Sequence, residues 1–267
     1  ERAQADAAPP GDTLDRFLSG QQDYQERRWP EAIRHFEAAL RERPDHFWSQ
    51  LLLALCYLQT GRPDAAKSCL NACLQAEPGF AWLYMLRGFA SGQCAATAPA
   101  GAATHFEFEQ AEADFRDALP RLSAADDELH YVLLVNRGLF RFQDGRADDA
   151  VADFRAAIAK RPDLFHAHAE LAQVHRAQRR PSEAIAEFTR ALELEPDWAP
   201  LYRGRAAVRL DARQLSPDET KAALDDLTAA LQREPPDRAV RAEDETKRGL
   251  LLFGAGRDEE ALAACEA

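Results

Sequence analysis

Small and bulky apolar residues recur along the chain with the spacing of one helix face. In four segments a small residue is followed four positions later by a bulky one, three later by another small one, and five later by proline. The quartets are Ala32, Phe36, Ala39, Pro44; Ala66, Leu70, Cys73, Pro78; Ala150, Phe154, Ala157, Pro162; and Ala184, Phe188, Ala191, Pro196. Steps of four and three place three side chains on one face of an α-helix, and proline ends the helix because it has no N–H to donate. The pattern predicts helices over 31–44, 65–78, 149–162 and 183–196, with a looser copy at 222–235.

The pattern has a fixed period. Pro44 and Pro78 are 34 residues apart, and so are Pro162 and Pro196. A period of this size indicates an array of structural repeats. About twelve residues before each first alanine, a second apolar helical pattern carries a small residue; these are Gly20, Ala54, Gly138 and Ala172. Each unit is therefore predicted to be a helix A, a short turn and a helix B, crossing closely at the small residues.

With these residues in register, the chain resembles a tetratricopeptide repeat array. The resemblance implies an all-α fold, an α-α superhelical solenoid of about six and a half helix-turn-helix units. With the closing proline at repeat position 32, the units are predicted at 13–46, 47–80, 81–125, 131–164, 165–198 and 199–236, with a partial unit at 242–267. Residues 1–12, rich in Ala, Pro and Asp, are predicted to be a linker.

The third repeat departs from the pattern. Its helix B arrives late, after the segment CAATAPAGAAT near 94–104, which has neither periodicity nor large apolar side chains. We expect a mobile loop on one rim of the array. Such a loop either gates a groove or is simply tolerated length.

The composition and charge of the chain indicate which partners and which cellular compartment to expect. The 267 residues are 46% hydrophobic and carry a net charge of −12, which argues against nucleic acid or an anionic membrane as partner. The sequence has no apolar run long enough to span a bilayer, and because ERAQADAAPP has charges and prolines where an apolar core would be required, we do not expect it to be a signal peptide. Five cysteines without framework spacing indicate a reducing compartment, so we expect a cytoplasmic protein. Because the chain starts without methionine and stops inside a helix that the other repeats complete, we expect a fragment of a longer protein.

No catalytic constellation, phosphate-binding glycine loop or metal-ligand spacing stands out, so we expect no enzyme activity, no cofactor and no metal. Cys69 and Cys73 lie one turn apart, but Cys73 occupies a position that is alanine in the other repeats, which favours packing over zinc binding. His168 takes the place of a bulky packing residue, which favours a core or surface imidazole over a ligand.

The resemblance implies a binding surface for a protein or peptide. In tetratricopeptide arrays the A helices line the concave side through repeat positions 2, 5, 9 and 12. These positions are apolar in repeats one to four and polar in repeats five and six, which predicts a ligand with apolar side chains at one end and acid at the other. The alternative is that the superhelix closes or the insertion folds in, so that the stripe is core. The candidate partner-binding residues are Phe17, Tyr24, Trp48, Leu51, Leu55, Trp82, Met85, Phe89, Val132, Val135, Asn136, Leu139, Gln173, Arg176 and Arg203.

Asn136 and Arg137 match the Asn-Arg-Gly run of many tetratricopeptide A helices, in which the arginine is expected to brace the neighbouring repeat. A weaker resemblance concerns the sequence at 35–66, 77–93 and 197–210, which is similar to repeat regions that follow the kinase domain in large bacterial serine/threonine kinases. The chain itself carries no kinase motif. The alternative function is therefore a regulatory or substrate-recruiting arm of such a multidomain enzyme.

Overall fold

The computed structural model describes residues 13–97, 102–212, 214–233 and 237–266. These residues form fourteen α-helices and one short 3₁₀ helix, with no strand among them, which confirms the all-α fold class. The helices are α1 (Thr13–Gln25), α2 (Trp29–Glu42), α3 (Phe47–Gln59), α4 (Pro63–Ala76), α5 (Ala81–Thr97), α6 (Ala102–Ala118), a 3₁₀ helix (Leu119–Arg121), α7 (Asp127–Gln143), α8 (Ala147–Lys160), α9 (His166–Ala177), α10 (Pro181–Leu194), α11 (Ala199–Leu210), α12 (Pro217–Arg233), α13 (Arg238–Gly254) and α14 (Asp258–Glu266).

The described residues divide into two compact units, the first ending at Asp126 and the second beginning at Asp127. Within each unit, every odd-numbered helix packs most closely on the even-numbered helix that follows it. A turn of three residues joins the two helices of the pairs α1–α2, α3–α4, α7–α8, α9–α10 and α13–α14, so the two helices of each pair run in opposite directions as a helical hairpin. The odd-numbered helices are the predicted A helices, and the even-numbered ones are the predicted B helices.

Proline and left-handed turn residues set the helix ends. Helices α2, α4, α8 and α10 each end two residues before a proline of the quartets. At the A–B turn, repeat position 15 takes a positive φ, which glycine adopts without steric cost. Gly61, Gly145 and Gly256 occupy it in three repeats, whereas Arg27 (φ 58°) and Arg179 (φ 59°) occupy it in two others. The turn geometry is therefore kept even where the residue changes.

The small residues lie at the predicted A–B crossings. A Cβ added to Gly20 would lie 2.7 Å from a ring carbon of Phe36, and one added to Gly138 would lie 2.8 Å from a ring carbon of Phe154. The first three members of all four quartets are buried, with at most 1% of their surface exposed. The small residues and the quartets therefore lie in the buried contact between helices A and B.

Buried ion pairs join helix A to helix B in three repeats. Arg87, Arg137 and Arg205 each hold an aspartate of the following B helix with hydrogen bonds from both Nε and Nη2. For Arg137 and Asp153 these bonds measure 3.0 and 2.6 Å. Bidentate pairing of this kind fixes the geometry of both side chains. Arg137 therefore braces helix B of its own repeat, which corrects the expectation that it contacts the neighbouring one.

The segment near 94–104, predicted to be a loop, is helical at both ends. Helix α5 continues to Thr97 and α6 begins at Ala102, so each is 17 residues long; residues 98–101 lie outside the described part of the chain. The longer hairpin contacts the start of α4, where the Lys67 ammonium lies 2.5 Å from Glu107 Oε2. Most of the insertion thus lengthens the third hairpin. The predicted linker at 1–12 also lies outside the described residues.

Helices α7 and α13 each begin four residues before the repeat starts predicted at Tyr131 and Ala242. Among the described helices, none combines the length and hydrophobicity that a membrane-spanning segment requires.

Candidate functional site

The A-helix face of the first unit is partly core and partly surface. Leu51 and Met85, both at repeat position 5, are 6% and 4% exposed. They pack in the interior and have little surface to offer a partner, which corrects their assignment to a ligand-facing stripe. Trp48 at position 2 and Phe89 at position 9 are 55% and 40% exposed. Only these two of the predicted residues in this unit leave a large apolar side chain in solvent.

The other candidates of the first unit are half-buried. The ring centroids of Phe17 and Phe36 lie 6.1 Å apart, and those of Tyr24 and Trp29 lie 5.3 Å apart in an edge-to-face arrangement. Leu55 and Trp82 pack against the same apolar core, which spans α2 to α5. These four side chains expose edges while their bodies stabilise the repeat stack.

In the second unit the apolar candidates also belong largely to the interior. Val135 and Leu139 are half-buried and pack against a core of α8 and α9 residues, and Val132 is half-buried as well. Asn136 Nδ2 donates to the Val132 carbonyl at 2.8 Å, so its amide is engaged within its own helix. This face is better described as a contact layer against α8 and α9 than as an open stripe.

Arg203 is held by another repeat. Its Nε lies 2.5 Å from Oδ2 of Asp244, whose side chain is 3% exposed, and the pair joins α11 to α13. A guanidinium bound to a buried carboxylate is not free to meet a partner. The structure therefore gives Arg203 a bracing position, whereas it was expected to face a ligand.

Gln173 and Arg176 line a cleft in the second unit, together with Phe142, Ala177, Arg179 and Asp211. Its volume is about 360 Å³. Arg176 Nε donates to Asp211 Oδ2 at 2.6 Å, and a second bond from Nη2 to Oδ1 measures 3.2 Å. The hydrogen bond from Arg176 lowers the pKa of Asp211, so this pair is fully charged at neutral pH. The cleft is thus a mixed site with an apolar wall and charged groups.

Cys56, Cys73 and His168 act as packing residues. Burial raises the thiol pKa of Cys56 and Cys73 to about 12, which leaves both neutral and unreactive at physiological pH. His168 is 8% exposed, and its Nδ1 lies 2.7 Å from Glu187 Oε2, so it is a hydrogen-bonded core imidazole. Both observations agree with the interpretation made from the sequence.

One group of metal-type ligand atoms occurs where the long hairpin meets α4. Asp64, Cys94 and Glu107 bring one such atom each within 4.8 Å of one another. Burial raises the pKa of the Cys94 thiol to about 12, and the thiol lies 3.3 Å from Asp64 Oδ1, where it can donate a hydrogen bond. Lys67 supplies a balancing cation to Glu107. Hydrogen bonding and ion pairing therefore account for this group.

Three exposed residues of the second unit were not singled out from the sequence. Leu250 and Phe253 are each 68% exposed on α13, at positions 9 and 12 of the partial seventh repeat. The position rule, applied to this repeat, would have found them. Arg179 of the cleft lies outside the rule, because it is in the A–B turn. Its signal was an arginine at a position that is glycine in three other repeats.

The structure thus defines a class of protein, the all-α repeat protein built from helix-turn-helix units. The tetratricopeptide repeat family model matches residues 23–87 and 141–208. The chain belongs to the tetratricopeptide repeat family.

Solved structures of other proteins have a similar fold. A thermophilic tetratricopeptide repeat protein from Thermus thermophilus is 25% identical; the match covers 74% of this chain and 99% of that one, with a TM-score of 0.60. A tetratricopeptide repeat protein from Parabacteroides merdae is 16% identical, over 94% and 90% of the two chains, with a TM-score of 0.65. PilF of Pseudomonas aeruginosa is 18% identical, over 84% and 90%, with a TM-score of 0.62. The last two show the fold alone. No curated protein matches the sequence.

Proposed function

We propose that the chain is a protein–protein interaction scaffold that binds a peptide segment of a partner through the A-helix face of its first unit. The observation that carries the proposal is the exposure of Trp48 and Phe89, on α3 and α5, at positions that the family uses for ligands. A tryptophan left more than half exposed is costly for solubility and is a common anchor at protein interfaces. Family membership supports protein as the class of ligand.

The packing beneath these two side chains supports the same conclusion. Leu51 and Met85, on the same helices as Trp48 and Phe89, are buried, and Arg87 is fixed to Asp114 by three hydrogen bonds. The backbone that carries the exposed rings is therefore held in place before a ligand arrives. A preorganised surface loses less conformational entropy on binding than a mobile one.

The test begins with a peptide selected from a random displayed library against the purified chain. The peptide is then titrated calorimetrically against the wild type and against Trp48→Ala and Phe89→Ala. If either ring is a hot spot, its removal should weaken binding by about 2 kcal/mol, or roughly thirtyfold in Kd.

Phe106→Ala is the matched control. Phe106 is as exposed as Trp48, at 55%, but lies on the B helix α6. The proposal predicts that this variant binds like the wild type. Unchanged affinity for both Trp48→Ala and Phe89→Ala, or an equal loss for Phe106→Ala, would place the binding surface elsewhere.

A scaffold that recruits substrate to an attached serine/threonine kinase would use the same surface. That alternative rests on the resemblance of the sequence at 35–66, 77–93 and 197–210. A selected consensus containing a phosphorylatable serine or threonine beside the apolar anchor would favour it.

A further inference from the structure

The cleft of the second unit has a chemistry of its own. One cavity of about 360 Å³ is lined by Phe142, Gln173, Arg176 and Arg179, and an adjoining cavity of about 140 Å³ is lined by Pro181 and Val208 together with the same two arginines. Asp211 lines both cavities. Two guanidinium groups therefore face one space that also has apolar walls.

The charges in this space do not cancel. Asp211 accepts two hydrogen bonds from Arg176, which neutralises one arginine. The side chain of Arg179 forms no hydrogen bond or ion pair with any residue in the described ranges, although its charge helps to lower the pKa of Asp211. The three groups together carry a net charge of about +1 at neutral pH, in a chain whose net charge is −12. A local positive site on an acidic protein favours an anionic group.

The backbone fixes the origin of the Arg179 side chain. Arg179 has a left-handed φ of 59°, and its N–H donates to the Arg176 carbonyl at 3.0 Å. The next N–H, of Arg180, donates to the His175 carbonyl at 2.9 Å. These bonds close the turn between α9 and α10. The side chain of Arg179 therefore starts from a defined point beside the cleft.

We propose that this cleft binds a carboxylate that lies next to an apolar group, with Arg179 holding the carboxylate and Phe142 contacting the apolar group. A planar guanidinium pairs with a carboxylate through two parallel hydrogen bonds, a geometry that a lysine cannot offer. In a partner protein the carboxylate would come from an acidic side chain or from a C-terminus. This inference rests on the proposed function only in taking a peptide as the natural ligand, because the site lies in the other unit.

The experiment uses small probes that need no known partner. N-acetyl-phenylalanine tests a terminal carboxylate, and its amide is the neutral comparison. N-acetyl-Phe-Asp amide tests a side-chain carboxylate, and N-acetyl-Phe-Asn amide is its comparison. Each is titrated into the isotope-labelled chain and followed in ¹H–¹⁵N spectra. The acidic probes should shift the amides of 176–181 and the Nε–H signal of Arg179, whereas the neutral probes should not.

Three variants are each expected to change the affinity for the acidic probes in a different way. Arg179→Asn should lower the affinity for the acidic probes roughly tenfold, because one charge-assisted pair is lost; asparagine tolerates the left-handed turn. Arg180→Asn removes the same charge one residue away, outside the cleft lining, and should change affinity less than about twofold. Asp211→Asn should raise affinity, because it releases Arg176 and makes the cleft more positive.

Equal losses for Arg179→Asn and Arg180→Asn would reduce the effect to bulk charge and overturn the proposal. So would a fall in affinity with Asp211→Asn, or equal shifts from acidic and neutral probes. None of these outcomes bears on Trp48 and Phe89 in the first unit, so failure here is distinguishable from failure of the proposed function.

Discussion

The close approach of glycine to aromatic rings makes a graded prediction about stability within the second unit. A Cβ at Gly204 would lie 2.5 Å from a ring carbon of Phe188, and one at Gly138 would lie 2.8 Å from Phe154. A Cβ at Gly254 would meet nothing within 4 Å. All three glycines are helical, so alanine should gain up to about 1 kcal/mol from helix propensity at each.

At the two crowded sites that gain competes with overpacking, which costs about 1–3 kcal/mol. Phe188 is 1% exposed and Phe154 is fully buried, so neither ring can turn into solvent to relieve the contact. Gly204→Ala should therefore be destabilising by about 1–2 kcal/mol, Gly138→Ala by somewhat less, and Gly254→Ala neutral or stabilising.

Because repeat arrays unfold in segments, global denaturation can hide a local effect. Native-state hydrogen exchange read by mass spectrometry measures opening of each helix pair separately. Protection should fall in α10 and α11 for Gly204→Ala and in α7 and α8 for Gly138→Ala. If Gly204→Ala is as well tolerated as Gly254→Ala, the close approach of Gly204 to the Phe188 ring does not limit how α11 packs on α10.

Two further predictions concern packing and charge. Ala150 and Ala184 are fully buried, whereas Ala147, at the start of α8, is half-buried. Leucine at Ala150 or Ala184 should lower the urea midpoint, because overpacking costs about 1–3 kcal/mol, and leucine at Ala147 should not. Equal effects at all three positions would contradict the repeat register. Arg203→Ala should destabilise the chain by about 3 kcal/mol, because it leaves the buried Asp244 carboxylate without its partner. Adding Asp244→Asn to the same chain should restore part of the lost stability. If Arg203→Ala alone is as stable as the wild type, Arg203 does not brace the two helices.

The helices and their crossings could be predicted from the sequence because they depend on local spacing. Ala32, Phe36 and Ala39 specify one helix face without knowledge of any other residue, and the repeat of that spacing supplies the register. The helical ends of the 94–104 segment could not be predicted from periodicity, because the segment has no apolar periodicity. Alanine, however, is the strongest helix former, and its propensity extends both helices there without an amphipathic face.

Ligand-facing positions could not be predicted as well, because exposure depends on residues from other repeats. Leu51 and Trp48 lie three residues apart on the same helix, yet one is 6% exposed and the other 55%. The position of a residue in a helix determines the direction of its side chain, but not whether that side chain is exposed to solvent. Whether the next A helix covers it depends on packing between repeats, and the partner of Arg203, Asp244, lies 41 residues further along the chain.

The backbone at position 15 of the repeat takes a positive φ, but different repeats have different residues there. Glycine satisfies the left-handed turn without strain, whereas a side chain there costs roughly 1–2 kcal/mol. Arg27 and Arg179 both carry this strain, so the conformation alone does not identify a site. What distinguishes Arg179 is its surroundings: two adjoining cavities, an aromatic wall and a neighbouring arginine already neutralised by Asp211. The proposed contact of Arg179 with a carboxylate therefore rests on these surroundings and not on the strained turn.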